Sequence, residues 1–139
     1  MRDGPTSSRC ERALKRILVA DDDPGILNAL TALLTPRYEV VAARNGEDLL
    51  SELERQHFDL VLLDLRMPLV VGESALTAIQ AGGRTTPIIV MSGNRSRIEE
   101  ALRRGADESL AKPFAFRELE EKITRLMNSP PPPVPPPAA

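Results

Sequence analysis

The stretch Ile17-Leu18-Val19-Ala20-Asp21-Asp22-Asp23-Pro24 sets an apolar run directly against three carboxylates and a proline. The run is continuous rather than alternating, which is the pattern of a strand covered on both faces, as in a parallel sheet. Asp23-Pro24 reads as a helix N-cap followed by proline at the first helical position. A strand therefore passes straight into a helix, and Asp21 and Asp22 are left at the junction. Adjacent carboxylates repel, so something at that strand end must offset their charge.

The same alternation continues outward along the chain. Arg16 to Ala20, Glu39 to Ala43, Leu60 to Leu65, Ile88 to Met91 and about Glu108 to Ala111 read as five short strands. Between them lie stripes at helical spacing. Ile26, Leu27, Leu30, Leu33 and Leu34 form the first, and Leu49, Leu50 and Leu53 the second. Ala75, Leu76 and Ile79 suggest a third helix ended by Gly82-Gly83. Ser96-Arg97-Ile98-Glu99 has the S-x-x-E capping pattern and opens a fourth, with Ile98, Ala101 and Leu102 inward. Phe116, Leu119, Ile123 and Leu126 mark the fifth. Five strand-helix units in sequence predict a doubly wound α/β fold, a five-stranded parallel sheet with helices on both faces.

Length and composition agree with one globular domain. The chain has 139 residues, a net charge of −2 and no tryptophan. That balance gives no sign of nucleic-acid or membrane binding, and the few aromatics argue against a base-stacking surface for single-stranded nucleic acid. The lone cysteine, Cys10, can form neither an internal disulfide nor a zinc site, which fits a reducing, cytoplasmic setting. Met1 to about Lys15 is polar and reads as a flexible arm or an expression remnant, without the apolar core of a signal peptide. Ser129 to Ala139, SPPPPVPPPAA, reads as a semi-rigid polyproline tail or the start of a linker; its other reading is a ligand for a proline-recognising domain. His57, the only histidine, follows the second helix away from the strand ends and reads as surface.

In doubly wound folds, ligands bind beyond the carboxyl ends of the strands. Asp21, Asp22 and Asp23 follow strand one, Asp64 ends strand three, Ser92 ends strand four and Lys112 ends strand five. Mg²⁺ suits the acidic group, because it takes oxygen ligands, needs only one or two carboxylates and keeps several waters. An ammonium and a hydroxyl beside a cation-bound carboxylate form a clamp for phosphoryl oxygens. Asp64, at the end of a central strand, is best placed to act as nucleophile and form an acyl phosphate.

The motifs ILVADDDP, LVLLDLRMP, IIVMSG and AKPF, in that order and spacing, resemble the receiver domain of two-component response regulators. The resemblance covers roughly 16–128 and implies the flavodoxin-like strand order 2-1-3-4-5. It implies that Asp64 is the phosphoacceptor. It implies that Asp22, Asp64 and the backbone carbonyl of Arg66 bind Mg²⁺, with Asp21 assisting through a metal-bound water. Ser92 would read the phosphoryl group, Lys112 would pair with its oxygens, and Pro113 would follow a cis peptide bond. Arg66 and Asn94 would tune access of water to the acyl phosphate. The donor would be a histidine kinase, a histidine phosphotransfer protein or a small molecule such as acetyl phosphate.

Two features depart from the family. The position three before Lys112 is often Tyr or Phe, a ring that moves with the strand-end hydroxyl, and here it is Ser109. After Met67-Pro68 the loop carries Leu69-Val70-Val71-Gly72, read either as packing beneath the third helix or as a contact patch. The leading expectation is a phosphorylation-controlled switch whose fourth helix, fifth strand and fifth helix meet an unknown output protein. As given, the chain resembles a single-domain receiver or one cut from a longer protein, monomeric or weakly dimeric. It is expected to accelerate only its own phosphorylation and dephosphorylation. A second reading is a docking module on the same fold that does not use phosphorylation. A third, a phosphatase or phosphotransferase, lacks its D-x-D motif, because Asp64-Leu65-Arg66 has no second carboxylate.

Overall fold

The computed structural model describes residues 14–66, 76, 77, 79, 80 and 86–128. Five strands, β1 (Arg16–Ala20), β2 (Glu39–Ala43), β3 (Leu60–Asp64), β4 (Ile88–Ser92) and β5 (Glu108–Ala111), form one sheet. Its order is β2-β1-β3-β4-β5, with every pair parallel. This is the strand order that the resemblance implied. The helices are α1 (Pro24–Leu34), α2 (Gly46–Arg55), α3 (Arg95–Arg103) and α4 (Phe116–Asn128). Thus α3 and α4 are the fourth and fifth helices of the sequence reading. Of the third, Leu76, Thr77, Ile79 and Gln80 have helical backbone, with Leu76 and Ile79 buried. Ala75, Gly82 and Gly83 lie outside the described residues, as do the proline tail, Cys10 and the loop from Met67 to Gly72.

The two-residue period of the strands splits the core into two layers. Ile17, Val19, Leu60, Leu62, Ile89 and Met91 face α1 and α4 through Leu27, Leu30, Leu34, Leu119 and Ile123. Leu18, Ala20, Val61, Leu63, Ile88 and Val90 face the other way, against Leu49, Leu53, Leu76, Ile79 and Ala101. Each fully buried aliphatic side chain contributes about 1.5–3 kcal/mol, so these layers hold the sheet between its helices. β3 and β4 are buried at every position, as their unbroken apolar runs require. β2 is an edge strand and is partly exposed.

Three local expectations need correction. Leu33 and Leu102 are exposed rather than inward, at 49% and 40%. Each lies at the margin of its stripe, beyond the arc that the sheet covers. Ser96 is not the cap of α3. Asn94 is, its side-chain oxygen accepting the Arg97 N–H at 3.1 Å, so Ser96 already lies inside the helix. Asn is among the best N-caps, and it has the same reach to the third helical N–H that Ser96 would have had two residues later. After the Arg104 C-cap of α3 comes Gly105, whose φ of +112° puts it in the left-handed region, where a side chain is strained.

Candidate functional site

All the expected strand-end residues that the structure describes converge on one edge of the sheet. Asp21 continues β1, its N–H donating to the Ala43 carbonyl at 3.1 Å, and is fully buried. Its Oδ1 accepts the Asp23 N–H at 3.0 Å. Asp23 itself caps α1, accepting from the N–H groups of Gly25 and Ile26, with Pro24 following as anticipated. Asp22 is exposed. Asp64 closes β3 at 1% exposure, and Ser92 closes β4, equally buried.

One oxygen from each of Asp21, Asp22 and Asp64 lies within 4.8 Å of the others. Lys112 reaches into this group from the end of β5, donating to Asp21 Oδ2 at 3.1 Å and lying 3.6 Å from Asp64 Oδ1. The peptide bond after it, to Pro113, is cis. The remaining oxygen, Asp64 Oδ2, is buried without a hydrogen-bond partner. Burial pushes the Asp64 carboxyl above its ordinary range, and the Asp21 charge adds to this. Lys112 and the Arg66 N–H pull the other way. The donor set therefore fits a hard divalent cation: three clustered carboxylates, two of them buried, and an orphaned oxygen on the central one.

The remaining positions flank this core. The Arg66 N–H donates to Asp64 Oδ1 at 3.3 Å. Ser92 Oγ accepts the Asn94 N–H at 2.9 Å, which fixes the hydroxyl at the mouth of the site. Arg66, Gly93, Asn94 and Lys112 line an open recess of about 480 Å³ beside Asp64. A larger recess, about 510 Å³, is lined by Ile26, Leu30 and Leu33 of α1, by Phe114 and Phe116, and by Lys112. Ser109 sits on β5 beside a third recess of about 430 Å³, bounded by Ser92, Ile98, Glu99 and Ala111, with no aromatic ring among the described residues of its walls. His57 is surface, its side chain 74% exposed. Arg97, an unspecified position of the S-x-x-E pattern and not among the expected site residues, donates to the Leu65 carbonyl at 2.6 Å.

The sequence pattern of the response regulator receiver domain matches residues 17–124. The chain belongs to that family. It is a receiver domain of two-component signal transduction. The transcriptional regulatory protein CiaR of Streptococcus pneumoniae is 34% identical over 114 residues, 81% of this chain and 51% of CiaR. ZraR of Salmonella typhimurium is 38% identical over 114 residues, 80% of this chain and 26% of ZraR. The receiver domain thus spans about half, or less, of the curated relatives it matches. Among solved structures, the receiver domain of a sensor histidine kinase from Pseudomonas aeruginosa, with magnesium coordinated in its active-site cleft, superposes with a TM-score of 0.77. It is 34% identical, over 84% of this chain and 100% of that one. The response regulator TrrA of Thermotoga maritima, in complex with Mg²⁺ and a beryllium fluoride, gives a TM-score of 0.73 at 36% identity, over 81% of this chain and 99% of TrrA. Among the described residues, no helix of this receiver domain is long and apolar enough to cross a membrane.

Proposed function

We propose that Asp64 is the phosphoacceptor and that its phosphorylation switches a partner-binding surface. The observation that carries the proposal is a buried carboxylate with one unpartnered oxygen, ringed by Asp21, Asp22 and Lys112. An Asp64 oxygen attacks phosphorus in line, and the P–N bond to a donor histidine breaks. The imidazole leaves with the bonding electrons and takes up a proton, and an acyl phosphate remains on Asp64. Asp22, Asp64 and the Arg66 carbonyl would hold Mg²⁺, with Asp21 assisting. A bound Mg²⁺ supplies positive charge against the phosphoryl oxygens. Lys112 Nζ, already between Asp21 and Asp64, needs only a short reach to pair with a phosphoryl oxygen. Ser92 accepts from Asn94, so its own proton is free to be donated to that oxygen. Arg66 and Asn94, on the wall of the adjoining recess, govern entry of water.

The proposed unit is 16–128, with 1–15 an arm and 129–139 a tail or linker. It acts in the cytoplasm and turns over only its own aspartyl phosphate. Its donor is a histidine kinase or a histidine phosphotransfer protein, and its output partner meets the face formed by α3, β5 and α4. Incubation with acetyl phosphate and Mg²⁺, followed by intact-mass measurement, tests this. One phosphoryl adduct that needs Mg²⁺ and is lost in Asp64→Asn is the expected result. An absence of adduct, with beryllofluoride also failing to bind, would leave a phosphorylation-independent docking module as the better account.

A further inference from the structure

The receiver domain lacks the aromatic that would stand at Ser109, yet its α3 is wired to Asp64 by another route. Arg97 lies in the first turn of α3 with its side chain partly buried. Its guanidinium donates to the Leu65 carbonyl at 2.6 Å, joining residues 32 positions apart. That carbonyl and the Arg66 N–H are the two ends of one peptide group, and the N–H donates to Asp64 Oδ1 at 3.3 Å. A peptide group is planar and stiff, so tilting one end tilts the other. Two hydrogen bonds and one rigid plane therefore connect the Asp64 carboxylate to α3.

A second arm ends at the same residue. Asn94 donates its N–H to Ser92 Oγ, and its side-chain oxygen caps the Arg97 N–H. Both groups that would meet a phosphoryl group, Asp64 and Ser92, thus connect to Arg97 within a few bonds. Between α3 and β5, the recess of about 430 Å³ beside Ser109 leaves space for the helix to shift.

We propose that Arg97 is a positioning residue that couples α3 to the Asp64 loop and carries the state of Asp64 to the α3–β5 surface. The coupling to the loop is independent of the phosphoacceptor assignment, whereas the signalling role rests on it. Converting the Asp64 carboxylate to an acyl phosphate shifts the negative charge from the carboxyl to the phosphoryl oxygens, and leaves Oδ1 a neutral carbonyl oxygen, a weaker acceptor for the Arg66 N–H. The peptide plane then reorients, the Leu65 carbonyl moves, and the charged Arg97 side chain draws the first turn of α3 with it.

The test uses the whole chain, with Arg97→Met and Arg97→Lys alongside the wild type. Without ligand, amide exchange at Arg66 is expected to rise about tenfold in Arg97→Met, and less in Arg97→Lys, which keeps one donor. Unchanged exchange at Arg66 in both variants overturns the coupling. With Mg²⁺ and beryllofluoride, wild-type amides are expected to shift both at the site (Arg66, Gly93, Lys112) and along α3 from Ile98 to Arg103. Arg97→Met is expected to keep the site shifts and lose more than half of the α3 shifts, with partial recovery in Arg97→Lys. Full α3 shifts in both variants overturn the signalling role while the phosphoacceptor assignment stands. No response in the wild type overturns that assignment and the signalling role together. Should Arg97→Met fail to fold, Arg97→Lys decides by the same two readouts.

Discussion

Asp64 and Lys112 lie 3.6 Å apart at the strand ends, and the charge balance between them is measurable. Asp64 is held protonated to higher pH in the native protein than its usual value of 3.8, first by burial and then by Asp21. In the absence of a divalent cation, the native state therefore binds more protons than the unfolded chain above that value. Stability falls as pH rises through the window between the two pKa values, and the cost is full above it. Asp64→Asn should accordingly be more stable than wild type at neutral pH in EDTA, with the difference vanishing near pH 3.8 and below; urea titrations across pH measure this. Removing Lys112 acts in the opposite direction, because two buried carboxylates lose their cation. Lys112→Ala should cost about 2–3 kcal/mol without metal, and Mg²⁺ should restore part of it. Asp22 and Asp23 can be separated in the same way. Asp23→Ala should lose about 1 kcal/mol from the α1 cap and keep its Mg²⁺ affinity. Asp22→Ala should keep its stability and lose most of that affinity, by calorimetric titration.

At the scale of the element, caps and edges explain where the helices begin and which side chains they expose. The S-x-x-E pattern at Ser96 was legible, but it competed with Asn94, whose side chain won the α3 cap. Sequence alone ranks two candidates two residues apart poorly, since the choice depends on where β4 releases the chain. Asn94→Ala should therefore destabilise the protein by about 1 kcal/mol and Ser96→Ala by much less, as thermal melts would register. Leu33 and Leu102 fit helical stripes, yet lie past the covered arc; periodicity gives the direction of a face but not its width. On β5, the absence of a ring at Ser109 leaves room beside Ile98 and Ala111. Ser109→Phe should fold with a change in stability within about 1 kcal/mol, because the added ring enters existing space rather than a filled core.

For the whole molecule, the two apolar layers hold the site. Leu62 of β3 is fully buried between α1 and α4, so Leu62→Ala should cost about 3 kcal/mol, read by denaturant unfolding. Strand alternation, the Asp23-Pro24 helix start and the residues ending each strand were all set by local pattern and could be read from the chain. So were the candidate ligands, since a doubly wound sheet collects its strand ends at one edge. What the sequence could not decide was contact across the fold. The partial burial of Lys112 between Asp21 and Asp64, the unpartnered Asp64 oxygen and the bond from Arg97 to Leu65 join residues far apart in the chain. Periodicity reports which way a side chain points from its own backbone. Which distant group it meets follows only from the packing of helices on the sheet.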